Sequence, residues 1–306
     1  MQLCDLVFLK NALQSAIDLA GIKKEIEANQ TKLESIIPHS YHYAQKINDL
    51  TNNHVRLFDN FEHTIEELNS ILNDINLDID KLTQKFFEDN YQTECFLTDP
   101  KVLRRDKAML LADGSESILL SRIHLYSTWK YPALEIGCRD GEWTKHLVTF
   151  DPLYIADNHQ EFLNNAISQF TPEYQNRVRP YKILDFKIDN LPINQFGFIF
   201  SYNYFNYLSL DSVKQFLIQA MQWLRPGGII LFTYNNADLS GSAGLTENYF
   251  MTYVPKSILV PMSESLGFEV KDCFDFLPST SWIELKKPGT LSTVKAHQAL
   301  GEIKTY

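Results

Sequence analysis

A short loop with an acid just ahead of two glycines is the feature of this sequence best suited to bind a ligand. The loop follows an apolar run and contains Glu135, Gly137 and Gly141. Gly137 lets the backbone turn sharply, and Gly141 is expected to let a ligand approach the start of a helix predicted at 142–148. The spacing is GxxxG, whereas a dinucleotide fingerprint reads GxGxxG. A carboxylate at the place of a pyrophosphate suits a ligand with a positively charged end.

Polar residues also follow the next two apolar runs of the chain. Asp157 and Asn158 follow the run at 153–156, and Asp185 follows the run at 178–184. In a parallel sheet the carboxyl ends of such strands lie along one edge, which is where open α/β sheets bind their ligands. We therefore expect an acidic rim at successive strand ends.

The elements that must position these residues alternate between strands and helices. Apolar runs typical of buried strands are separated by stretches with helical periodicity, which indicates a parallel sheet with helices on both faces. Two final apolar runs lie close enough for a hairpin, as an added antiparallel strand requires. We predict an α/β fold with a doubly wound, mostly parallel seven-stranded sheet and a terminal antiparallel hairpin. The strands are predicted at 133–136, 153–156, 178–184, 196–201, 229–234, 268–274 and 281–285, and the helices at 115–127, 142–148, 160–170 and 211–223.

This ordered set resembles the class I, Rossmann-like S-adenosylmethionine-dependent methyltransferases. Glu135, Gly137 and Gly141 match the acid-x-Gly-x-Gly-x-Gly loop with which that family cradles the amino-acid end of its cofactor. Arg139 stands where the middle glycine usually lies, which is a departure from the family pattern. The resemblance covers roughly residues 115–286, including the LRPGG turn before the predicted fifth strand.

The resemblance implies a binding site for S-adenosylmethionine and gives roles to the residues at the strand ends. Asp157 would accept hydrogen bonds from the ribose hydroxyls, with Asn158 beside it. Asp185 would bind the adenine amino group, and Phe186 would pack near the ring. No metal is expected. The implied cofactor-binding residues are Glu135, Gly137, Cys138, Arg139, Gly141, Asp157, Asn158, Asp185, Phe186 and Ser201.

The residues after the fourth predicted strand are the candidates for aligning a methyl acceptor. Methyl transfer is an in-line displacement, so the enzyme chiefly aligns the nucleophile with the methyl group. Asn203, Tyr204 and Asn206 are candidates to orient a nucleophile, and for each a role in the turn or in packing stays open. The stretch lacks the Asn/Asp-Pro-Pro-aromatic motif of amino-methylating nucleic-acid enzymes. The expected acceptor is therefore a small molecule, a sugar or a protein.

The first part of the chain has a different pattern. From Ala44 to Phe86 a seven-residue repeat with mostly apolar a and d positions runs without Gly or Pro, which predicts a coiled coil or a long helical hairpin. One amphipathic helix packed on a globular domain is the alternative. Pro38 makes either a hairpin turn or a kink, and the number of strands stays open. We predict a coiled-coil oligomerisation or docking segment at 1–90, a linker at 91–114 and a methyltransferase-like domain at 115–306.

Charge and composition limit the partners and the location of the protein. The net charge is −10, and the residues through Thr98 contribute −8 of it, from 8 basic and 16 acidic side chains. Such a surface repels phosphates and anionic lipids, which disfavours nucleic acid and membrane as partners. Copies of this chain or a larger assembly are the expected partners. Scattered cysteines and the absence of a signal-peptide pattern predict a cytoplasmic protein.

Two classes of function remain. The leading hypothesis is an active methyltransferase with an oligomerising or docking stalk. The alternative is a structural or assembly protein, for example a component of a viral particle, in which the methyltransferase-like domain is a folded unit on the stalk. Arg139 in the glycine loop and the lack of a catalytic signature keep that alternative open. The glycine spacing disfavours a nicotinamide-dependent oxidoreductase.

Overall fold

The computed structural model describes residues 2–18, 67–82, 115–248, 250–276 and 280–291. Most of the predicted heptads, Pro38 and the predicted linker lie outside these ranges. The start of the chain is therefore represented by two helical segments, and the sheet region is described almost without interruption.

The centre of the molecule is a seven-stranded sheet in the order β3-β2-β1-β4-β5-β7-β6. The first five strands in this order are parallel, and β7 runs antiparallel to both of its neighbours. A mostly parallel sheet ending in an antiparallel hairpin is thus confirmed. The strands are β1 Ala133–Ile136, β2 Leu153–Asp157, β3 Val178–Lys182, β4 Phe196–Ser201, β5 Leu224–Tyr234, β6 Glu269–Phe276 and β7 Thr280–Lys286.

The central strands β1 and β4 are mostly apolar because both faces of the sheet are covered. Every residue of β1 and β4 is buried. Side chains alternate between two core clusters, so that Ile136 and Ile199 lie in one cluster and Phe198 and Phe200 in the other. Alternation of this kind places both layers of helices against the same strands.

Helices flank the sheet, and short 3₁₀ turns follow two of its strands. Ser209 caps the longest helix after the fourth strand, where its side chain accepts a hydrogen bond from the amide of Ser212. Within the described ranges, no helix is long and apolar enough to cross a membrane. The helices are α1 Leu3–Asp18, α2 67–82, α3 Ser115–Tyr126, α4 Gln160–Ser168, α5 Pro172–Gln175, α6 Leu210–Trp223, α7 Ser240–Glu247 and α8 Lys256–Ser265, and the 3₁₀ turns are Thr144–His146 and Phe205–Tyr207.

The helix predicted at 142–148 is wrong, because the segment contains only the 3₁₀ turn. Successive i to i+3 hydrogen bonds fold it, including the amide of Leu147 to the carbonyl of Thr144 and the amide of Phe150 to the carbonyl of Leu147. These turns bring Trp143, Leu147 and Phe150 into one core cluster. The apolar spacing that predicted a helix is therefore satisfied by consecutive tight turns.

An ion cluster attaches α3 to the hairpin. Glu284 of β7 is fully buried and binds the guanidinium of Arg122 through two hydrogen bonds. The Tyr126 hydroxyl donates to the same carboxylate at 2.7 Å, and Arg122 also reaches Asp272 of β6 at 2.9 Å. The charge is buried with its partners, which is the condition under which proteins tolerate it.

The two amino-terminal helices pack against each other and against the sheet domain. The amide of Leu3 donates to Glu247 of α7, and α1 lies along that helix. In α2 the buried residues include Ile71, which is not at an a or d position, so the apolar stripe is wider than a coiled-coil seam. The described part of the heptads fits the alternative of an amphipathic helix on a globular domain. The cluster consists of Leu3, Leu6, Val7, Leu9, Leu13, Leu68, Ile71, Leu72, Ile75, Ile79, Ala237, Ala243 and Tyr253.

Candidate functional site

The carboxyl ends of β1, β2 and β4 form the edge at which a ligand is expected. β1 pairs with β2 on one side and with β4 on the other, so the strand order reverses between β1 and β4. Ligands of open α/β sheets bind outside the carboxyl ends of the strands at such a switch point. The loops that follow β1 and β4 therefore bound the candidate cleft.

Glu135 places a carboxyl group in the interior beneath this edge. Its side chain is 3% exposed, and the Thr144 hydroxyl donates to it at 2.6 Å. Burial raises the pKa of Glu135 to about 8, the hydrogen bond from Thr144 opposes that shift, and the charge of Asp157 adds to it. Glu135 is thus an acid whose charged form needs a positive partner.

Asp157 is the last residue of β2 and supplies a second carboxyl group, whose charge acts on Glu135. It is 2% exposed, and its two oxygens accept the amides of Arg139 at 3.0 Å and His159 at 2.9 Å. Burial raises its pKa, and these two amides partly offset the effect. Two neighbouring buried carboxyl groups that repel each other form a site at which a cationic or hydroxyl-bearing ligand is stabilised.

The glycine loop is closed on the side of β4. Gly137 has a φ of 74°, and its amide donates to the carbonyl of Ala156 at 2.7 Å. The Arg139 guanidinium donates to the carbonyl of Asn203 at 2.8 Å and lies 5.9 Å from the ring centre of Tyr207. Arg139 therefore connects the loop after β1 to the loop after β4.

Tyr204 makes a second connection between the same loops. A Cβ atom added at Gly137 would lie 2.5 Å from Cδ2 and 2.6 Å from Cβ of Tyr204, so the ring rests directly on the glycine backbone. The Tyr204 hydroxyl donates to Oδ1 of Asn158 at 2.7 Å. Tyr204 thus spans the distance from the end of β4 to the end of β2.

Comparison with known families decides what kind of domain carries this site. Residues 134–232 match the Methyltransf_11 family model, which is described as a methyltransferase domain. The matched residues form a methyltransferase domain. A comparison with curated proteins found no match.

Solved structures with a similar arrangement include several methyltransferases. An S-adenosylmethionine-dependent methyltransferase from Mesorhizobium loti is 13% identical, with a TM-score of 0.47 over 57% of this chain and 99% of that one. One from Aquifex aeolicus is 15% identical, with a TM-score of 0.46 over 61% and 98% of the two chains. Geranyl diphosphate C-methyltransferase from Streptomyces coelicolor is 8% identical, with a TM-score of 0.48 over 56% and 80%.

Gly141 lies in close contact with α4 and with the residue that follows this helix. An added Cβ would lie 2.6 Å from Nε2 of Gln169 and 2.8 Å from Cα of Ala166. The glycine therefore permits close packing of the loop on α4 and its C-terminal end. The helix start expected at this position is wrong, because only a 3₁₀ turn follows, and the approach of a ligand to Gly141 stays a prediction.

Ser201 and Cys138 use their side chains within the fold. The Ser201 hydroxyl is fully buried and donates to the carbonyl of Ile136 at 2.8 Å, which ties β4 to β1 at the switch point. Cys138 is buried in the core cluster with Trp143, and burial raises the pKa of its thiol well above the usual value. Only the backbone of these two residues remains suited to a ligand.

Asp185 and Phe186 lie in a tight turn beyond the end of β3. The strand ends at Lys182, two residues earlier than predicted. Leu184 and Lys187 exchange two backbone hydrogen bonds around the turn, in which Asp185 and Phe186 have φ values of 47° and 56°. Asp185 is exposed, and Phe186 packs against the core cluster of α6. The amide of Arg139 contacts Asp157 directly, Asn158 follows Asp157 in the chain, and Glu135 is close enough for the charge of Asp157 to raise its pKa, whereas Asp185 is placed in this separate turn.

The candidates for orienting an acceptor are held by a buried hydrogen-bond network. Asn206 is 2% exposed, and its side-chain oxygen accepts a hydrogen bond from the Thr233 hydroxyl at 2.9 Å. The amide of Asn203 donates to that hydroxyl at 2.7 Å, and both the amide and the hydroxyl of Thr252 donate to the carbonyl of Asn206. Asn206 therefore has the packing role that was left open for it. Thr233 holds the loop after β4 against the end of β5.

Thr144 and Tyr202 belong to the site, although neither was predicted as a site residue. Thr144 satisfies the buried carboxyl of Glu135, and the Tyr202 ring lies 4.7 Å from the ring centre of Trp143. Both contacts depend on the path of the turns at 138–147. A sequence pattern that predicted a helix in that stretch could not have paired these residues.

Proposed function

We propose that the chain is an S-adenosylmethionine-dependent methyltransferase that acts on a small-molecule, sugar or protein acceptor. The observation that carries the proposal is the pair of buried carboxyl groups of Glu135 and Asp157 at the tips of adjacent parallel strands. They lie at the switch point of the sheet, within the segment that matches a methyltransferase domain.

The chemistry of the two acids suits the two ends of the cofactor. Asp157 is positioned to accept the ribose hydroxyls, with Asn158 beside it. Glu135 gains a positive partner when the amino-acid end of the cofactor lies over the loop that contains Gly137. Burial, which disfavours both charges in the free protein, strengthens their attraction to a cation.

The residues after β4 are positioned to align the methyl acceptor with the methyl group of the cofactor. When bound, S-adenosylmethionine supplies an electrophilic methyl group on a sulfonium. Thr233 anchors the amide of Asn203 and the side chain of Asn206, and an anchored backbone holds an acceptor in line more effectively than a mobile one. Asn203 and Tyr204 remain the candidates to orient the acceptor, and Asp185 and Phe186 remain candidates at the adenine.

The acidic surface argues for an acceptor that is not nucleic acid. The formal charge of the chain is −10, which repels phosphate backbones. The alternative of a structural or assembly protein draws no support from the family match. For residues 1–90 we propose self-association or docking on a larger assembly.

The test is calorimetric titration of the full chain with S-adenosylhomocysteine. We expect Asp157→Ala to bind about tenfold more weakly or worse, because the charge-assisted hydrogen bonds to the ribose are lost. Asp189→Ala, which changes an exposed acid, is the control and should bind like the wild type. Circular dichroism would verify that both variants stay folded. Unchanged affinity in Asp157→Ala would show that the ribose does not bind there.

A further inference from the structure

We propose that Tyr204 and Arg139 form a latch that closes the cofactor cleft, and that the cofactor binds only after Tyr204 has moved away. The latch is defined by the contacts of Tyr204 with Gly137 and Asn158 and by the contact of Arg139 with Asn203. The proposal rests on the proposed function, since it concerns the order of events at the same site.

The first observation is the position of the Tyr204 ring. Three of its side-chain atoms lie within 2.7 Å of the place where a Cβ of Gly137 would be. Tyr204 itself is 3% exposed and packs edge-on against Phe216. A ligand that contacts the backbone of Gly137 from the cleft needs the volume that this ring fills.

The second observation is the hydrogen bond at the far end of the same side chain. The Tyr204 hydroxyl donates to Asn158 at 2.7 Å, directly after the carboxylate proposed to bind the ribose. One side chain thus covers both the glycine loop and a polar group of the ribose site. Binding of the cofactor at either place competes with Tyr204.

The third observation is the bridge made by Arg139. Its guanidinium donates to the carbonyl of Asn203, the residue before Tyr204, at 2.8 Å. Arg139 and Asn203 have φ values of 46° and 51°, in a region that residues with side chains rarely occupy. The usual glycine would adopt this φ freely but could not form the bridge, so the departure from the family pattern is what supplies it.

These contacts lower the apparent affinity for the cofactor. A ligand that binds only the open form has its affinity reduced by the fraction of molecules in that form. A substitution that weakens the latch without creating a cavity in the core should therefore raise both the association rate and the affinity of the cofactor. A contact that is only structural would have the opposite effect or none.

The test compares Tyr204→Phe with Tyr174→Phe in the full chain. Both variants lose one hydroxyl hydrogen bond, and that of Tyr174 goes to the carbonyl of Val148 away from the cleft. We expect hydrogen exchange in the ligand-free Tyr204→Phe protein to be faster at 137–141 and 202–207. We also expect S-adenosylhomocysteine to bind about threefold to tenfold more tightly, with a faster association rate. Tyr174→Phe should match the wild type in both measurements.

The results separate the latch from the proposed function. Unchanged exchange at both segments in Tyr204→Phe overturns the latch, whatever the ligand does. Faster exchange with unchanged or weaker binding of S-adenosylhomocysteine also overturns it. Faster exchange in a protein that binds no S-adenosylhomocysteine in any form supports a closed latch and contradicts the cofactor assignment.

Discussion

Glu135 is a carboxyl group that the folded protein holds more easily in its neutral form. Burial raises its pKa to about 8 from the ordinary value of 4.5. Between these two values the unfolded chain releases the proton while the folded protein retains it. Because the folded state then binds more protons, the free energy of unfolding falls as the pH rises through this window.

Replacing Glu135 by Gln should remove this part of the pH dependence. We expect the wild type to lose stability relative to Glu135→Gln, by on the order of a few kcal/mol, between about pH 5 and about pH 8. Urea denaturation of both proteins at each pH measures the difference. Glu161→Gln, at an exposed residue of α4, serves as the control. Parallel curves for Glu135→Gln and the wild type would mean that the carboxyl group is ionised throughout.

Single residues were predictable from sequence where the strand alone determines their position. Glu135 and Asp157 lie near the carboxyl ends of β1 and β2, and the apolar run in the sequence shows where each of these strands ends. The role of Gly141 was not predictable, because its neighbour Ala166 comes from a helix whose approach depends on the whole crossover. The position of Tyr204 was not predictable either, because its contact with Gly137 joins the loops after β1 and β4, which are far apart in the sequence.

At the scale of elements, the parallel strands and the hairpin followed directly from the sequence, and the first crossover did not. Continuous apolar runs identify strands that are buried on both faces. The segment after Gly141 has apolar residues at helical spacing, yet it folds as consecutive turns that place Thr144 against Glu135. Periodicity reports which side chains are buried and leaves open the backbone that buries them.

Helix α2 offers a test of how the amino-terminal segment is attached. Ile75 is fully buried against α1, whereas Leu77 of the same helix is 58% exposed. We expect Ile75→Ala to lower the free energy of unfolding by about 2–4 kcal/mol, because a buried side chain is truncated and a cavity remains. Leu77→Ala should change it by less than about 0.5 kcal/mol. Urea denaturation of the full chain measures both.

Equal effects of the two substitutions would contradict the packing of α2 described above. A loss confined to a separate early transition would show that α1 and α2 unfold before the sheet. In that case the hydrogen exchange of α7, which lies against α1, should rise with the Ile75→Ala substitution.

At the scale of the whole molecule, the remaining heptads predict a surface for association between chains. Their a and d positions before α2 include Ile47, Phe58, Phe61 and Ile65. Large apolar side chains at this spacing drive helix association. We therefore expect the full chain to sediment as a dimer or larger species, and Phe61→Glu to shift it toward the monomer. Asn60→Glu, at a position that faces away from the seam, is the matched control, and a wild type that stays monomeric at high micromolar concentration would contradict the proposal.

The charge cluster between α3 and β7 has a consequence for how the last hairpin finds its alignment. Along β7, Trp282 and Glu284 face the core cluster beneath α3, while Ile283 and Leu285 face the opposite one. A shift of the strand by one residue would exchange these sets and place the carboxylate of Glu284 away from Arg122, among aliphatic side chains. An ion without its counterion in such surroundings costs several kcal/mol. Electrostatics as well as side-chain shape therefore disfavour a shifted register of β7 during folding.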